Sequence, residues 1–366
     1  MQDQGVVVGI DNGGTANNAT VLDSSGRFLI DQMLETRSRV QEGPDRAIEA
    51  LSGSFAQALE VTGTARASVR AVGLDTPGPA SANGVISTRG AVNFLHPAWR
   101  GFDIRGALET ELGLPVVYNN DGNAAALYAH HMRLGQAAAT SSSVSMIVGT
   151  GLGAGVVEQG QVVRGATGMA GELGHVRIPL DGLLADGQPV PVCNCGLFGD
   201  AESIASLTGI EKNLLPYWLS RFPDHELNQV TVPSGPERHP TAAPSGPERH
   251  PTAMAKAAKL IRGYGEAGDP MALEIFGQQA MALGRVLSVA ANFTDPLVYF
   301  LGGGVVEAAP DFRDWFLDRV REHTDLREEQ ARVASFALVP DLDMAGARGA
   351  AIAARETLGL WAAPPR

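Results

Sequence analysis

The sequence has little that would tie it to a membrane, a nucleic acid or an oxidising compartment. No apolar run approaches the roughly twenty residues that span a bilayer. Acidic residues outnumber basic ones, 40 against 28, and the net charge of -12 argues against a nucleic-acid groove, which needs clustered positive charge. Only two cysteines are present, Cys193 and Cys195, and their close spacing would strain a disulfide. We therefore expect a cytoplasmic protein that binds neither membrane nor nucleic acid.

The length and composition are typical of a globular protein with about two domains. A chain of 366 residues is long enough to build two sizeable cores. Hydrophobic residues make up 44% of the chain and charged residues 19%, which is ordinary for such proteins. The opening residues M-Q-D-Q-G have neither the basic nor the apolar part of a secretory signal, which agrees with the expected cytoplasmic location.

The densest group of chemically active side chains lies in the middle of the chain. The segments G-E-L-G-H at 171–175 and C-N-C-G-L-F-G-D-A-E at 193–202 contain two thiols, an imidazole and several carboxylates. The glycines among them favour tight turns at which the backbone approaches a ligand. The pattern predicts that Glu172 and His175 project from such a turn. An ordinary polar loop is the alternative interpretation.

Two glycine turns, each between short apolar strands, predict a pair of phosphate-binding hairpins. The turn D-N-G-G-T at 11–15 follows a strand predicted at 6–10, and the turn G-T-G-L-G-A-G at 149–155 follows one predicted at 144–148. Backbone N–H groups of such turns bind phosphate oxygens, and Asp11 would meet a magnesium ion, usually through water. Because one hairpin occurs in each half of the chain, the pair indicates a duplicated architecture.

A third motif, N-N-D-G-N at 119–123, lies between a predicted strand and a helix predicted near 124–134. Asp121 is therefore expected at the carboxyl end of a strand, where ligands gather in open α/β sheets. The alternative is that Asp121 only caps the helix, which is a common role of aspartate. Gly122 or Asn123 could cap the helix instead, and this would leave Asp121 free for chemistry.

The rest of the chain alternates between predicted helices and strands. Helices are expected near 43–62, 104–112, 204–219, 254–264, 270–293, 312–326 and 345–358, and further strands near 28–36, 69–74, 116–118, 297–301 and 333–338. Glycines at 302–304 end one of these strands. The segment P-S-G-P-E-R-H-P-T-A occurs twice, at 233–242 and 244–253. Its proline and glycine predict a flexible surface insertion near 228–253.

Together these motifs resemble those of the ROK family, which comprises repressors, open reading frames and sugar kinases of bacteria. The resemblance runs from Val6 to about Leu358 apart from the insertion, and the G-E-L-G-H and C-x-C-G-x-x-G segments are its most specific part. It implies the actin-like or ribonuclease-H-like ATPase fold, an α/β fold with two lobes that flank a cleft. The implied division is an N-terminal lobe over 1–122, a C-terminal lobe over 123–344 and a C-terminal helix, 345–366, that packs back on the first lobe.

The resemblance also implies a role for individual side chains. Asp121 matches the catalytic base of the family. The residues that match sugar ligands are Asn93, Asn120, Glu172, His175 and Glu202. The residues that match nucleotide contacts are Asp11, Gly13, Gly14 and Thr15 in the first turn, Thr150, Gly151 and Gly153 in the second, and Gly302, Gly303 and Gly304 at the adenosine. The expected cofactors are ATP and Mg²⁺.

One motif departs from the family in a way that bears on a metal. In the family a histidine and three cysteines share a structural zinc ion. His175, Cys193 and Cys195 match three of these ligands, but Asp200 stands at the position of the third cysteine. Because zinc also accepts carboxylate, we expect a weaker His-Cys-Cys-Asp site. Loss of the zinc, with the loop held by packing, is the alternative.

Two further residues depart from the family pattern. Asn12 stands where the family usually has an apolar residue, and Asp75 where a small or apolar residue is usual. Asp75 is expected either to contact a sugar hydroxyl or to cap a turn. Both Asp75 and Asp200 are expected to flank the sugar pocket, so an unusual acceptor is consistent with the sequence.

The activity implied by the resemblance is that of an ATP-dependent sugar kinase of the glucokinase type, which phosphorylates the 6-hydroxyl of a hexose. Glucose is the default acceptor; mannose, an amino or N-acetyl hexose and a glucose-like cyclitol are alternatives, and polyphosphate is an alternative donor. A repressor of this family would carry a helix-turn-helix domain ahead of the first turn, and the residues before Asp11 leave no room for one. A non-catalytic sensor is disfavoured by Asp121 and the two phosphate turns. Related proteins are often dimers, so a homodimer is expected.

Overall fold

The computed structural model describes residues 5–78, 80–88, 93–231 and 251–359. Its first sheet contains β1 (Val6–Asn12), β2 (Ala16–Leu22), β3 (Glu35–Arg37), β4 (Val69–Thr76) and β5 (Val116–Asn120), in the order β3-β2-β1-β4-β5. β1 and β2 form an antiparallel hairpin, and β4 and β5 run parallel to β1. Asp11, near the end of β1, therefore lies beside the end of β4, and the end of β5 lies on the far side of β4.

The second sheet repeats the plan of the first. It contains β6 (Ser142–Val148), β7 (Leu152–Glu158), β8 (Gln161–Val162), β9 (Val298–Gly303) and β10 (Ser335–Leu338), in the order β10-β9-β6-β7-β8. Again an antiparallel hairpin, β6–β7, is followed by two strands parallel to its first member. The predicted duplication of a hairpin-led sheet is thus present in the strand order as well as in the glycine turns.

Helices cover the sheets. They are α1 (Pro44–Thr62), α2 (Ile104–Leu112), α3 (Asp121–Leu134), α4 (Glu202–Ala205), α5 (Leu207–Gly209), α6 (Leu215–Arg221), α7 (Leu227–Thr231), α8 (Pro251–Glu266), α9 (Pro270–Thr294), α10 (Pro310–Glu322), α11 (Glu328–Ala331) and α12 (Leu342–Thr357). A π-helical turn, Ile210–Leu214, joins α5 to α6. Within the described ranges, none of these helices combines the length and the apolar character that crossing a bilayer requires.

The two helices α3 and α12 pack against each other between the sheets. Small residues permit this close approach: a Cβ added to Gly349 of α12 would lie 1.8 Å from the carbonyl oxygen of Ala124 in α3. A Cβ added to Gly9 of β1 would likewise lie 1.9 Å from the carbonyl oxygen of Ala347. α12 thus lies directly on the first sheet, while α3 also contacts β7 of the second sheet.

Two of the predicted elements are wrong in extent. The helix expected over 204–219 is interrupted, because Ser206 adopts an extended conformation and its hydroxyl caps the next turn by accepting the N–H of Gly209 at 2.9 Å. The strand expected over 28–36 is reduced to β3, and Phe28 contributes only an isolated bridge to Leu22.

The duplicated proline-rich segment lies almost wholly outside the described residues, at 232–250. The two ends of the predicted insertion are helical: α7 ends at Thr231, and α8 begins at Pro251.

Candidate active site

Asp121 is the first residue of α3 and directly follows β5. Its Oδ1 accepts the N–H of Gly122 at 2.7 Å, while Oδ1 of Asn120 accepts the N–H of Asn123 at 2.8 Å. Asn120 is therefore the residue that caps α3. The expectation that Gly122 or Asn123 would cap the helix is wrong. The expectation that another residue frees Asp121 from that role holds, and the Asp121 side chain stays open to solvent.

The surroundings of Asp121 favour its protonated form more than water does. The residue as a whole is exposed, but the many protein atoms around its carboxyl group desolvate it and raise the pKa of Asp121 to about 6. The N–H of Gly122 lowers this pKa, and the carboxylates of Asp11 and Glu172 raise it. A carboxylate with a pKa just below neutrality is ionised at pH 7 and is still basic enough to accept a proton. Asp121 is therefore close enough to both Asp11, at the first glycine turn, and Glu172, in the G-E-L-G-H segment, to be affected by their charges.

The G-E-L-G-H segment forms the predicted turn. Gly171 has φ +84, a left-handed conformation that glycine adopts readily, and a 3-10 turn follows at Leu173–His175. The Glu172 carboxylate accepts a hydrogen bond from Nδ2 of Asn120 at 3.2 Å. Burial raises the pKa of Glu172. The Glu172 carboxylate is thereby held next to Asn120, the residue that precedes Asp121.

Glu202 connects the second glycine turn to the cysteine segment. Its Oε2 accepts the backbone N–H of Leu152 at 2.9 Å, and its Oε1 accepts the thiol of Cys193 at 3.2 Å. A Cβ added to Gly151 would lie 2.8 Å from Oε2 of Glu202, so a side chain at this position would displace the Glu202 carboxylate. Sequence reasoning predicted a sugar ligand here and missed this link to the turn.

The first glycine turn closes its hairpin with one of its own N–H groups. The N–H of Gly13 donates to the carbonyl of Ala16 at 2.9 Å, so the expectation that it faces a phosphate is wrong for this N–H. A Cβ added to Gly14 would lie 3.2 Å from Oδ1 of Asn93, which places Asn93 beside the turn. Thr15 is exposed at the tip.

Asn12, which stands where the family usually has an apolar residue, makes a hydrogen bond within the first sheet. Asn12 is fully buried, and its Nδ2 donates to Oδ1 of Asn17, its cross-strand partner, at 2.6 Å. Asn17 donates in turn to the hydroxyl of Ser54 on α1 at 3.1 Å. A short polar chain therefore replaces apolar packing below the turn.

The third glycine segment lies at the end of β9, beside the second turn. Gly303 has φ +97, and a Cβ added there would lie 2.0 Å from the carbonyl oxygen of Val148. A cavity of about 180 Å³ opens next to it; its lining includes Gly302, Gly303, Glu307, Val339 and Asp343. The cavity lies at the glycines predicted to contact adenosine. Thr150 is exposed in the second turn, where its carbonyl accepts the N–H of Thr208 at 3.1 Å.

The four predicted metal ligands lie together. The ligand atoms of His175, Cys193, Cys195 and Asp200 all lie within 4.8 Å of one another. From Nδ1 of His175 the distances are 3.4 Å to Oδ2 of Asp200, 3.6 Å to Sγ of Cys195 and 3.9 Å to Sγ of Cys193. Tetrahedral zinc at 2.0–2.3 Å from each ligand atom separates those atoms by roughly 3.5 Å, so the arrangement fits zinc. Both cysteines are free thiols, as their spacing predicted.

Asp75 neither caps a turn nor lies open to a sugar. Its side chain is fully buried, and neither carboxyl oxygen accepts a hydrogen bond from a described residue. Burial, followed by the charge of Asp11 and by the hydrogen bond that the two carboxyl groups can make when one of them is protonated, raises the pKa of Asp75 well above its usual range, and the charge of Asp121 adds to the effect. Both expectations for Asp75 are wrong. The neighbouring Asn119, which sequence reasoning passed over, is 3% exposed and its amide also makes no hydrogen bond to a described residue.

Comparison with known proteins places this geometry in a family. The sequence profile described as the ROK family matches residues 7–357. The glucokinase of Halalkalibacterium halodurans is 28% identical over 316 residues, which cover 86% of this chain and 84% of that protein. The ROK hexokinase from Thermus thermophilus is similar in structure, with a TM-score of 0.70 and 31% identity over 97% of this chain and 99% of that one. A ROK family glucokinase from Streptomyces griseus, solved with glucose and AMPPNP, has a TM-score of 0.65 and 26% identity over 96% of this chain and all (100%) of that one.

Proposed function

Because this chain belongs to the ROK family, we propose that it is an ATP-dependent kinase that phosphorylates the 6-hydroxyl of a hexose, glucose first among them. The observation that carries the proposal is the position of Asp121. This aspartate stands at the junction of β5 and α3, is influenced by the carboxylates of Asp11 and Glu172, and is not used as the helix cap. The glucokinases to which the chain is similar support glucose as the acceptor.

The proposed chemistry needs one base. Phosphoryl transfer depends on positioning and charge neutralisation more than on covalent help from the protein. Asp121 accepts the proton of the primary hydroxyl as the sugar oxygen attacks the terminal phosphorus of ATP, and ADP leaves. Asn120 and Glu172, which are already hydrogen-bonded to each other, supply a donor and an acceptor for ring hydroxyls, and His175 and Glu202 extend that set.

The nucleotide is proposed to lie across the two glycine turns. The phosphates would meet Asp11, Gly14 and Thr15 on one side and Thr150, Gly151 and Gly153 on the other. Gly302 and Gly303 line the cavity proposed for adenosine, and Gly304 follows them in the chain. Magnesium, when bound, offsets negative charge on the phosphate oxygens. Asp11, at the end of β1, is the residue proposed to hold it.

Zinc is proposed at His175, Cys193, Cys195 and Asp200. Their separations suit a tetrahedral ion, and no cysteine is needed at the fourth position because carboxylate also binds zinc. The ion would hold the cysteine segment against the turn that carries His175. Zinc would bind Cys193 as the thiolate, which can no longer donate to Glu202, so the metal would change the surroundings of a proposed sugar ligand.

Three further points remain proposals. The lobes are proposed as 1–122 and 123–344, with the C-terminal helix of 345–366 returning to the first. The active form is proposed as a cytoplasmic homodimer. Mannose, amino or N-acetyl hexoses and cyclitols remain alternative acceptors, because acceptors that differ in one ring substituent are distinguished by the side chains that contact that substituent.

The proposal is tested by ADP release from ATP and Mg²⁺ across a panel of sugars. We expect glucose to give the highest kcat/KM and 6-deoxyglucose to give no turnover, because it lacks the attacking hydroxyl. A second assay replaces ATP with polyphosphate and measures sugar phosphate, which tests the alternative donor. If no hexose gave ADP release, the proposed kinase activity would be refuted. Turnover of 6-deoxyglucose would refute the proposal that the 6-hydroxyl is the attacking group.

A further inference from the structure

Three polar side chains form a row across neighbouring strands at one end of the first sheet. Asp11 of β1 is paired in register with Asp75 of β4, and Asp75 is paired with Asn119 of β5. Residues in register on adjacent strands project to the same face and are about 4.8 Å apart. We call Asp11, Asp75 and Asn119 the acidic row.

Helix α12 covers the face of the sheet on which the acidic row lies. A Cβ added to Gly346 would lie 2.9 Å from Cγ of Asp11, and one added to Gly73, two residues before Asp75, would lie 1.9 Å from the carbonyl oxygen of Ala350. α12 therefore covers the row on the side to which its side chains project. Asp75 and Asn119 are almost completely buried there, so water has little access to their polar atoms.

The middle of the row lacks partners. Both carboxyl oxygens of Asp75 and both amide atoms of Asn119 are buried and make no hydrogen bond to a described residue. Buried polar groups without a partner are rare in proteins, and an ion or a water that completes them is the usual explanation. The carboxylate of Asp11 stands directly beside Asp75 on the neighbouring strand, so two like charges would share this buried place if both were ionised.

A small divalent cation satisfies all of these groups at once. Carboxylate and amide oxygens are the ligands that Mg²⁺ prefers, and a cation between Asp11 and Asp75 converts their repulsion into attraction. Asn119 can turn its Oδ1 to the ion. A proton shared between Asp11 and Asp75 is the competing arrangement, but it leaves the amide of Asn119 without a partner.

We propose that Asp75 is a direct ligand of a divalent cation in the acidic row, and that the protein binds this cation before any nucleotide. The inference rests on the proposed kinase only for the use of the cation in phosphoryl transfer. If magnesium bound only as its complex with ATP, Asp11 would be enough to hold it, and the buried carboxylate of Asp75 on β4 would not be needed. The acidic row thus prepares the phosphate site in the absence of ATP.

The experiment measures Mn²⁺ binding, by loss of the free-ion electron paramagnetic resonance signal, without nucleotide or sugar. One equivalent of Zn²⁺ is present in every sample, because the thiolates of the cysteine cluster favour zinc over Mn²⁺. The variants are Asp75→Asn and the matched control Asp314→Asn, which removes the same charge from a side chain on α10 that is 67% exposed. We expect wild type and D314N to bind one Mn²⁺ that Mg²⁺ displaces, and D75N to bind it about tenfold or more weakly.

Thermal denaturation shows whether a variant that fails to bind the cation is still folded. In EDTA, D75N is expected to have a higher Tm than wild type, because a carboxamide removes the repulsion and can pair with Asn119. Added Mg²⁺ is expected to raise the Tm of wild type and D314N but not of D75N. Nucleotide-free wild type that binds no Mn²⁺, or D75N that binds it as wild type does, overturns the proposal and favours the shared proton. Kinase turnover in the same preparations decides the proposed function separately.

Discussion

Replacement of Asp121 by asparagine removes the proposed base with little other change. Asparagine keeps an Oδ1 that can accept the N–H of Gly122, which Asp121 now accepts at 2.7 Å. The cap of α3 belongs to Asn120 and is not altered. We therefore expect D121N to fold as wild type does, with a Tm that changes by only a few degrees through the lost charge at the helix N-terminus.

The expected loss of rate follows from the role of a general base. Such a base contributes about 10²- to 10⁴-fold, which corresponds to about 3 to 5 kcal/mol of activation free energy. Binding of the sugar is expected to change little, because the hydrogen bond between Asn120 and Glu172 and the contacts of Glu202 are retained. The defect of D121N should therefore appear in kcat, with the sugar Kd nearly constant.

Steady-state ADP release and isothermal titration with sugar measure the two quantities. The pH profile adds a second signature. Asp121 works as the carboxylate and its pKa is about 6, so wild-type kcat should rise as pH increases through that value and level off above it. The residual activity of D121N should lack this inflection, because asparagine does not titrate.

The exposed substitution Asp314→Asn is the matched control and should retain wild-type kinetics. D121N with kcat within about threefold of wild type would remove Asp121 from the role of base. An unchanged inflection near pH 6 in D121N would assign the titration to another group. A sugar Kd that worsens as much as kcat falls would make Asp121 a binding residue instead.

Three other perturbations test separate parts of the site. Cys195→Ser should lower the zinc content found by mass spectrometry after dialysis, and also the Tm; unchanged metal content would refute the zinc site. Glu202→Gln should raise the KM of both sugar and ATP about tenfold, because Glu202 contacts the second turn and the cysteine segment together; an effect on neither would contradict this link. Gly303→Ala should destabilise the protein by about 2 kcal/mol or more, because of its φ of +97 and the carbonyl oxygen 2.0 Å from the new Cβ. Gly263→Ala, where nothing lies within 4 Å, is its control and should be neutral or stabilising in thermal denaturation.

The features that sequence reasoning located correctly are governed by residues close together in the chain. A glycine turn between two β-branched runs forms a hairpin almost wherever it occurs, and both predicted hairpins are present at β1–β2 and β6–β7. Likewise the G-E-L-G-H segment turns where Gly171 permits a left-handed conformation. The four predicted metal ligands also meet, because two short segments carry all of them.

Two of the errors concern local competition between residues that can play the same part. Asn120, Gly122 and Asn123 are all able to cap α3, and the sequence does not distinguish among them. The structure selects Asn120 because its side chain reaches the N–H of Asn123 while its amide donates to Glu172, more than fifty residues away in the chain. The interruption at Ser206 is of the same kind, since a hydroxyl there competes with the helical backbone.

The sequence by itself determined the order of strands and turns, the duplicated hairpins and the residue types available for chemistry. Only the tertiary structure decided that Asp75 lies beside Asp11 and Asn119, because register between β1, β4 and β5 joins segments that are distant in the chain. The link from Glu202 to the second turn has the same origin. The spacing of residues along the chain decides whether a segment forms a helix, a strand or a turn. Which distant segments then contact each other depends on which of their faces the whole fold buries.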